Sequence, residues 1–227
     1  MVEQNNNSFN VGENREQIEK GKGFSPETRG MLEQRSCHIY TLTGKTMLQL
    51  SDEGVPISKE WTSIKNVDDE INHLRSRRSE VAIGDIALSP NRTLLSSFDK
   101  SVPEQIAMVE NASDQLQRDV SGARMIIGNP VDYLELAWEI RKTIGRNLFE
   151  TEYILPFLSR LLRRRFKQNW FTRTNTPLES VRGSFTFAVS FYGEEFHISA
   201  WPRQEGNHIM GALPLIVPTG QKAKNNN

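Results

Sequence analysis

The segment Thr151–Arg173 constrains the fold more than any other part of the chain, because it joins a strong helical period to a strong charge bias. Its apolar residues recur at spacings of three and four, which would place them on one face of a helix: Ile154, Phe157, Leu158, Leu161, Leu162 and Phe166. The segment also carries six basic residues and a single acid, Glu152. The sequence therefore predicts an amphipathic helix with an apolar seam and a cationic face.

The cationic side of this segment is the candidate site. Arg160, Arg163, Arg164 and Lys167 recur at helical spacing opposite the apolar seam. Guanidinium groups bind phosphate and carboxylate oxygens through paired hydrogen bonds, and exposed aromatic rings stack on bases or enter a lipid interface. We therefore expect an anion-binding set, with nucleic acid as the first candidate ligand, made of Arg160, Arg163, Arg164, Arg165, Lys167, Trp170 and Arg173.

A second interpretation of the same segment stays open. Cations toward the end of a helix complement its dipole and keep a surface soluble without binding anything, and Trp170 would then belong to the core. Arg165 favours the binding interpretation, because it falls on the apolar seam, where an unpaired cation is costly. We expect either an internal acid or an anionic partner to meet it.

Charge and cysteine content restrict the functional class. The chain has 28 basic and 28 acidic residues, so any attraction for an anion must come from local segregation of charge. Cys37 is the only cysteine, which excludes an internal disulfide and a thiolate metal cage and indicates a reducing compartment. The chain starts without a signal-peptide pattern, and no window approaches the roughly 20 apolar residues of a membrane-spanning helix. These features predict a cytoplasmic protein without a transmembrane segment.

Two polar ends flank the region that can build a core. Residues 1–35 contain the run Asn5-Asn6-Asn7 and no sustained apolar period, so they bury too little surface to offset the entropy of ordering. Residues 219–227 are similar. The sequence predicts a disordered N-terminal arm over 1–35, a single domain over 36–218 and a disordered C-terminal tail over 219–227.

Helix caps predict about four helices. Three cap signals precede apolar periods, and the basic segment supplies the fourth helix. The predicted starts and ends of the other three are Asn66 to Arg78, Ser101 to Val120, and Asn129 to Gly145.

Alternating apolar residues predict the strands. The clearest pattern places Phe185, Phe187, Val189 and Phe191 on one face of a strand that turns at 192–195 and returns. The other expectations are a hairpin over 37–50 around Gly44, a strand over 81–88, and a strand within 206–217 that Pro214 and Pro218 keep at a sheet edge. The predicted fold class is α+β, with a mixed or antiparallel sheet built from hairpins and packed on about four helices between polar, disordered tails.

No residue pattern identifies a cofactor or a metal. The triplet Gly44-Lys45-Thr46 ends like a phosphate loop, but Ile39 stands where that loop needs a glycine. The four histidines are far apart and lack metal-ligand spacing. We therefore predict no cofactor and no metal.

One constellation keeps an enzymatic alternative open. Glu195, His197 and Ser199 alternate along one strand and would share a face, as the parts of a hydrolase or nuclease site near the C-terminal hairpin. A nucleophilic serine is presented by a sharp strand-to-helix turn in such sites, and none follows Ser199. A polar outer face of a half-buried sheet explains the three residues better.

The leading expectation is a non-enzymatic binding and assembly protein. Its basic helix would hold nucleic acid or an acidic protein surface, and the chain would self-associate or join a larger assembly such as a virion or a secretion apparatus. The C-terminal hairpin, with its aromatic face and the acidic turn Glu194-Glu195, resembles one in the matrix proteins of negative-strand RNA viruses, a resemblance that implies no residue roles. A purely structural protein–protein interaction subunit is the other non-enzymatic alternative.

Overall fold

The computed structural model describes residues 23–58, 83–89, 94–153, 166–180 and 183–219. Within these ranges the chain forms four α-helices, one short 3-10 helix and ten strands. The helices are α1 Pro26–Gln34, α2 Met47–Asp52, α3 Val102–Asp119 and α4 Pro130–Ile144, with the 3-10 turn at Leu95–Ser97. The strands are β1 His38–Thr43, β2 Ile83–Leu88, β3 Ala123–Ile126, β4 Glu150–Tyr153, β5 Phe166–Asn169, β6 Phe171–Ser180, β7 Gly183–Tyr192, β8 Glu195–Pro202, β9 Met210–Gly211 and β10 Leu215–Pro218. The α+β fold class is confirmed.

The first four-stranded sheet is antiparallel and has the order β1-β2-β10-β3. The predicted edge position of the last strand is wrong, because β10 lies between β2 and β3. Pro218 is tolerated there because it is the last residue of β10, and β10 meets β2 through the single pair Ile216–Ala87.

The second four-stranded sheet has the order β8-β7-β6-β9 and contains the predicted C-terminal hairpin. Strands β7 and β8 pair without a register shift from Phe185–Pro202 to Tyr192–Glu195, as the alternation of aromatic residues predicts. Strand β6 pairs antiparallel with β7 and parallel with β9. Strands β4 and β5 form a separate two-stranded ribbon.

Helix α4 connects the two sheets through one hydrophobic core. Asn129 caps it by accepting hydrogen bonds from the amides of Val131 and Asp132, and every residue from Pro130 to Ala137 is buried. The core cluster also contains side chains from β1, β2, β7, β8 and β10. The predicted helix over 129–145 is confirmed, and Gly145 ends it in the left-handed conformation that glycine adopts without strain.

Helix α3 begins at the predicted capping box. The Glu104 carboxylate accepts hydrogen bonds from the Ser101 amide and hydroxyl over 2.8 and 2.7 Å. Its inner face packs on β3 through residues that include Val109 and Leu116. The predicted helix over 101–120 is confirmed.

The predicted limit of the N-terminal arm at residue 35 is wrong for residues 26–34, which form α1. Ser25 caps α1, Pro26 occupies its first turn, and Leu32 is fully buried in a second hydrophobic cluster. This helix needs tertiary contacts, because its own sequence has only a weak apolar period. Residues 1–22 and 220–227 lie outside the described ranges, as does the predicted helix from Asn66 to Arg78.

The predicted hairpin over 37–50 has one strand and one helix. Strand β1 is present, but residues 47–52 form α2 because Thr46 and Gln49 make a reciprocal capping box. Met47 and Leu50, three residues apart, point into the core from that helix. Of the predicted strand over 81–88, the structure describes β2, which pairs with β1 in register through Gly84.

Candidate anion-binding site

The predicted basic helix over 151–173 is wrong at both of its ends. Residues 150–153 and 166–169 are the paired strands β4 and β5, and β6 begins at Phe171. The Trp170 amide donates to the Phe149 carbonyl over 3.1 Å, and the Phe171 amide donates to the Ile209 carbonyl over 2.8 Å. These long-range backbone hydrogen bonds replace the i to i−4 bonds that a helix would need.

The predicted site residues fall into three groups. Arg160, Arg163, Arg164 and Arg165 lie outside the described residues. Lys167 lies on β5 opposite Glu152 of β4. Trp170 and Arg173 are described in full, and both are buried.

Trp170 is part of the hydrophobic core and is 2% exposed. Its ring meets the rings of Phe98 and Phe149 edge to face, with centroids 5.9 Å apart in each pair. A ring enclosed in this way cannot stack on a nucleic-acid base or enter a lipid interface. The prediction that Trp170 contacts a ligand is therefore wrong, and the alternative that placed it in the core is confirmed.

Arg173 is the largest fully buried side chain in the described part of the protein, at 1% exposure. Its Nη2 donates a hydrogen bond to the Glu205 carbonyl oxygen, whereas Nε and Nη1 have no hydrogen-bond partner among the described residues. Burial lowers the pKa of the Arg173 guanidinium, and the Glu205 carboxylate acts in the opposite direction. Arg173 therefore does not belong to an open cationic surface. Among the described residues it forms no ion pair, although the Glu205 carboxylate lies near enough to raise its pKa.

A second buried charge, Asp85, has a full set of partners. Its Oδ2 accepts hydrogen bonds from the Phe24 amide over 3.1 Å and from Arg29 Nη2 over 2.6 Å. Its Oδ1 accepts one from the Thr41 hydroxyl over 2.9 Å. This carboxylate joins α1 to β1 and β2. Sequence analysis missed it, although a single acid inside the apolar run of residues 81–88 was a signal of a buried, partnered charge.

A third buried charged residue, Glu135, binds the end of β1. Its Oε1 accepts hydrogen bonds from the Thr43 amide over 2.7 Å and from the Thr43 hydroxyl over 2.6 Å. These contacts fix α4 against the first sheet. Glu135 and Asp85 are therefore structural acids, and neither lies within ion-pair distance of Arg173.

The three residues of the enzymatic alternative share a face of β8, as predicted, but their side chains are not connected. Glu195 is exposed, and His197 meets the ring of Tyr192 edge to face at 6.1 Å. Between the described residues, no hydrogen bond joins His197 to Ser199 or to Glu195. Among the described residues, Ser199 therefore has no hydrogen-bonded general base in this arrangement.

The described ranges contain no group of three or more His, Cys, Asp or Glu side chains that could hold a metal ion. Cys37 is a buried free thiol, and burial raises its pKa while the neighbouring Arg35 lowers it. None of the described helices is long and apolar enough to cross a membrane. Comparison of the chain with protein-family models, with curated proteins and with solved structures found no match.

Proposed function

We propose that this chain is a non-enzymatic binding and assembly protein that holds an anionic partner, nucleic acid first, on the basic segment between β4 and β5. The observation that carries the proposal is the pairing of these strands. Tyr153 lies opposite Phe166, so the two ends of the twelve-residue connection 154–165 come together at one end of a two-stranded ribbon. By sequence this connection holds Arg160, Arg163, Arg164 and Arg165 and no acid.

Charge balance supports a local site. The whole chain has a formal net charge of zero, so a polyanion is not attracted by the protein as a whole. Four arginines within six residues create a local cationic field, and each guanidinium can bind phosphate oxygens with two parallel hydrogen bonds. Because Trp170 and Arg173 are buried, the proposed contact set reduces to the four arginines and Lys167.

Binding to single-stranded RNA, double-stranded DNA and heparin, measured by fluorescence anisotropy across a salt series, tests the proposal. If five cations neutralise phosphates, the logarithm of the association constant for duplex DNA should fall with the logarithm of salt concentration with a slope of roughly −4 to −5. Reversing Arg160, Arg163, Arg164 and Arg165 to Glu should abolish binding at about 100 mM salt.

A matched control reverses four exposed cations elsewhere, namely Lys100, Arg118, Lys142 and Arg146. This variant has the same net charge as the first and should keep most of its affinity for nucleic acid. Equal losses in the two variants would contradict a local site. Retained nucleic-acid affinity in the first variant, together with loss of a protein partner or of self-association, would assign the segment to an acidic protein surface instead.

The proposed compartment is the cytoplasm, where the single thiol of Cys37 would stay reduced. A role inside a larger assembly, such as a virion or a secretion apparatus, is part of the same proposal. Sedimentation velocity with and without nucleic acid checks it, because an assembly protein should form larger species when its anionic partner is present.

A further inference from the structure

A short stretch, residues 203–207, lies against Arg173 and is named here the cover segment. Backbone hydrogen bonds hold it at both ends: the Val102 amide donates to its first carbonyl over 2.8 Å, and the Asp99 amide donates to its last carbonyl over 3.1 Å. Between these anchors the Glu205 carbonyl accepts the hydrogen bond from Arg173. The cover segment is thus fixed by backbone groups while its own middle residues, 204–206, are exposed.

Arg173 and Trp201 project from the same face of the second sheet. Arg173 lies opposite Ala188, which lies opposite Ser199, and Trp201 is two residues farther along β8. Because side chains alternate across a strand, residues two apart point to the same side. Phe171, two residues before Arg173, shares that side, and its ring centroid is 6.4 Å from that of Trp201. The two rings therefore meet over the part of the sheet that bears Arg173.

Three buried N–H groups on this face have no acceptor among the protein groups that the structure describes. They are Nε and Nη1 of Arg173 and the indole Nε1 of Trp201. All three are donors, and the guanidinium keeps its charge at neutral pH. Buried polar groups in folded proteins nearly always have hydrogen-bond partners, and an unpaired buried charge is among the most costly groups a fold can contain. This face therefore calls for a ligand that brings oxygen acceptors and negative charge together.

We propose that this face binds one small oxyanion of the phosphate, sulfate or carboxylate class, held by the unpartnered N–H groups of Arg173 and Trp201. The proposal is independent of the basic segment between β4 and β5, because none of its residues lies there. The anion would neutralise the one fully buried arginine of the described chain and would accept from donors that no protein oxygen reaches.

Entry of the ion requires the cover segment to move. Among the described residues, further backbone hydrogen bonds lie at the ends of the cover segment: the Arg203 amide donates to the Ser184 carbonyl over 3.1 Å, and the Met210 amide donates to the Asn207 carbonyl over 3.0 Å. Between these ends, the attachments of residues 204–206 are the bond from Arg173 to the Glu205 carbonyl and the close packing of Gly206 on the Asp99 backbone. An outward displacement of residues 204–206 would release the Glu205 carbonyl and open a path to the guanidinium. Binding is then coupled to the position of this segment.

Thermal unfolding in phosphate, in sulfate, in acetate and in chloride, all at one ionic strength, tests the site. An anion at about one hundred times its dissociation constant should raise the Tm by roughly 5–10 °C for a chain of this size. The result in acetate separates a carboxylate site from a phosphate or sulfate site. Equal Tm values in all four salts would overturn the proposal.

The matched variants are Arg173→Met and Arg118→Met. The first keeps the length of the side-chain stem and removes the buried donors, so its Tm should no longer respond to the anion. The second removes an exposed arginine from α3 and should keep the full response. A response that survives in Arg173→Met would overturn the proposal. The chain with its four basic-segment arginines reversed should also respond, which separates this site from the proposed polyanion surface.

A second measurement does not depend on the folding of Arg173→Met. The indole N–H signal of Trp201, assigned by its loss in Trp201→Phe, should shift on titration with the active anion in a 1H–15N spectrum. Trp201→Phe keeps the aromatic contact with Phe171 and should weaken the anion roughly tenfold, as expected for one lost hydrogen bond to a charged group. An indole signal that does not move while the Tm rises would place the ion elsewhere and overturn the assignment.

Discussion

Two buried charges of opposite sign are treated very differently by this fold. Asp85 accepts hydrogen bonds from an amide, a hydroxyl and a guanidinium, which come from two segments of the chain, the start of α1 and strand β1. Arg173 is as deeply buried, and among the described residues its one acceptor is the Glu205 carbonyl. Desolvation is costly for both groups, but only at Asp85 do internal partners offset it.

The difference separates a structural charge from a candidate binding charge. Asp85 works as a connector, because its three donors lie on β1, on α1 and just before α1. Arg173 makes one such link among the described residues, a hydrogen bond to the backbone oxygen of the exposed residue Glu205. The complete set of partners at Asp85 stabilises the fold, whereas the proposed anion would supply acceptors for the two N–H groups of Arg173 that have none among the described residues.

The largest expected effect is at the connector. Asp85→Ala leaves the Phe24 amide and the Thr41 hydroxyl without acceptors and removes the ion pair to α1, so it should lower the free energy of unfolding by about 3 kcal/mol. Urea unfolding measures the loss. Arg29→Ala removes only the half-exposed partner and should cost about 1 kcal/mol. If Asp85→Ala cost no more than Arg29→Ala, the connector role would be wrong.

The second effect concerns what holds the cover segment over Arg173. A Cβ added at Gly206 would lie 2.1 Å from the backbone oxygen of Asp99, which cannot move aside like the end of a flexible side chain. Asp99 itself has a φ of 60°, in the left-handed region that non-glycine residues rarely adopt. Gly206→Ala should therefore lower the free energy of unfolding by about 2 kcal/mol.

Gly30→Ala is the matched control for that substitution. A Cβ at Gly30 in α1 meets nothing within 4 Å, and alanine is the better helix former, so this variant should gain about 0.5 kcal/mol. The pair is compared by urea unfolding and by the anion response of the Tm. A neutral Gly206→Ala variant would show that the cover segment shifts away from the Asp99 backbone at little cost.

Sequence patterns located the elements whose signals are local. The capping boxes at Ser101 and Asn129 each span four residues and locate the starts of two helices. The alternation from Phe185 to Phe191 locates a strand and its buried face. The α2 start was equally local, since Thr46 and Gln49 form the same kind of box, and the cap Ser25-Pro26 preceded α1. The sequence therefore carries cap signals for both helices. The apolar alternation around α2 favoured a hairpin, and the polar composition around α1 favoured a disordered arm.

The remaining errors depend on partners far away in the chain. Nothing within residues 166–173 indicates that Trp170 will bond to Phe149 or Phe171 to Ile209, so a helical period there was overridden by tertiary contacts. The same holds for the candidate site. Arg173 appears in the sequence as one more cation after a basic run. Its position on β6 opposite Ala188 and its hydrogen bond to the Glu205 carbonyl, which place it under the cover segment, both depend on residues distant in sequence.

The smallest expected effect on stability is at an exposed charge, the Glu104 carboxylate in the capping box of α3. Hydrogen bonds from Ser101, first from its hydroxyl and then from its amide, lower the pKa of Glu104, with a lesser contribution from Lys100. Since the folded-state pKa lies below the unfolded value, the stabilisation is fully present above the unfolded pKa. It is lost as the pH falls through the folded pKa.

Glu104→Gln should therefore have a lower Tm than the parent protein at neutral pH, and the gap should close in acid once the parent carboxylate is protonated. Ser101→Ala removes the other partner of the capping box and should reduce the same pH dependence of the Tm, because the hydroxyl hydrogen bond that lowers the Glu104 pKa most is then missing. Calorimetry across the acid range measures both variants. A Tm difference that stays constant with pH would mean that the glutamine lowers stability through altered helix packing and not through the lost charge. Solvent would then already have removed the electrostatic contribution of Glu104 to stability. The three charges would no longer form a graded series from exposed Glu104 through buried, paired Asp85 to buried, incompletely paired Arg173.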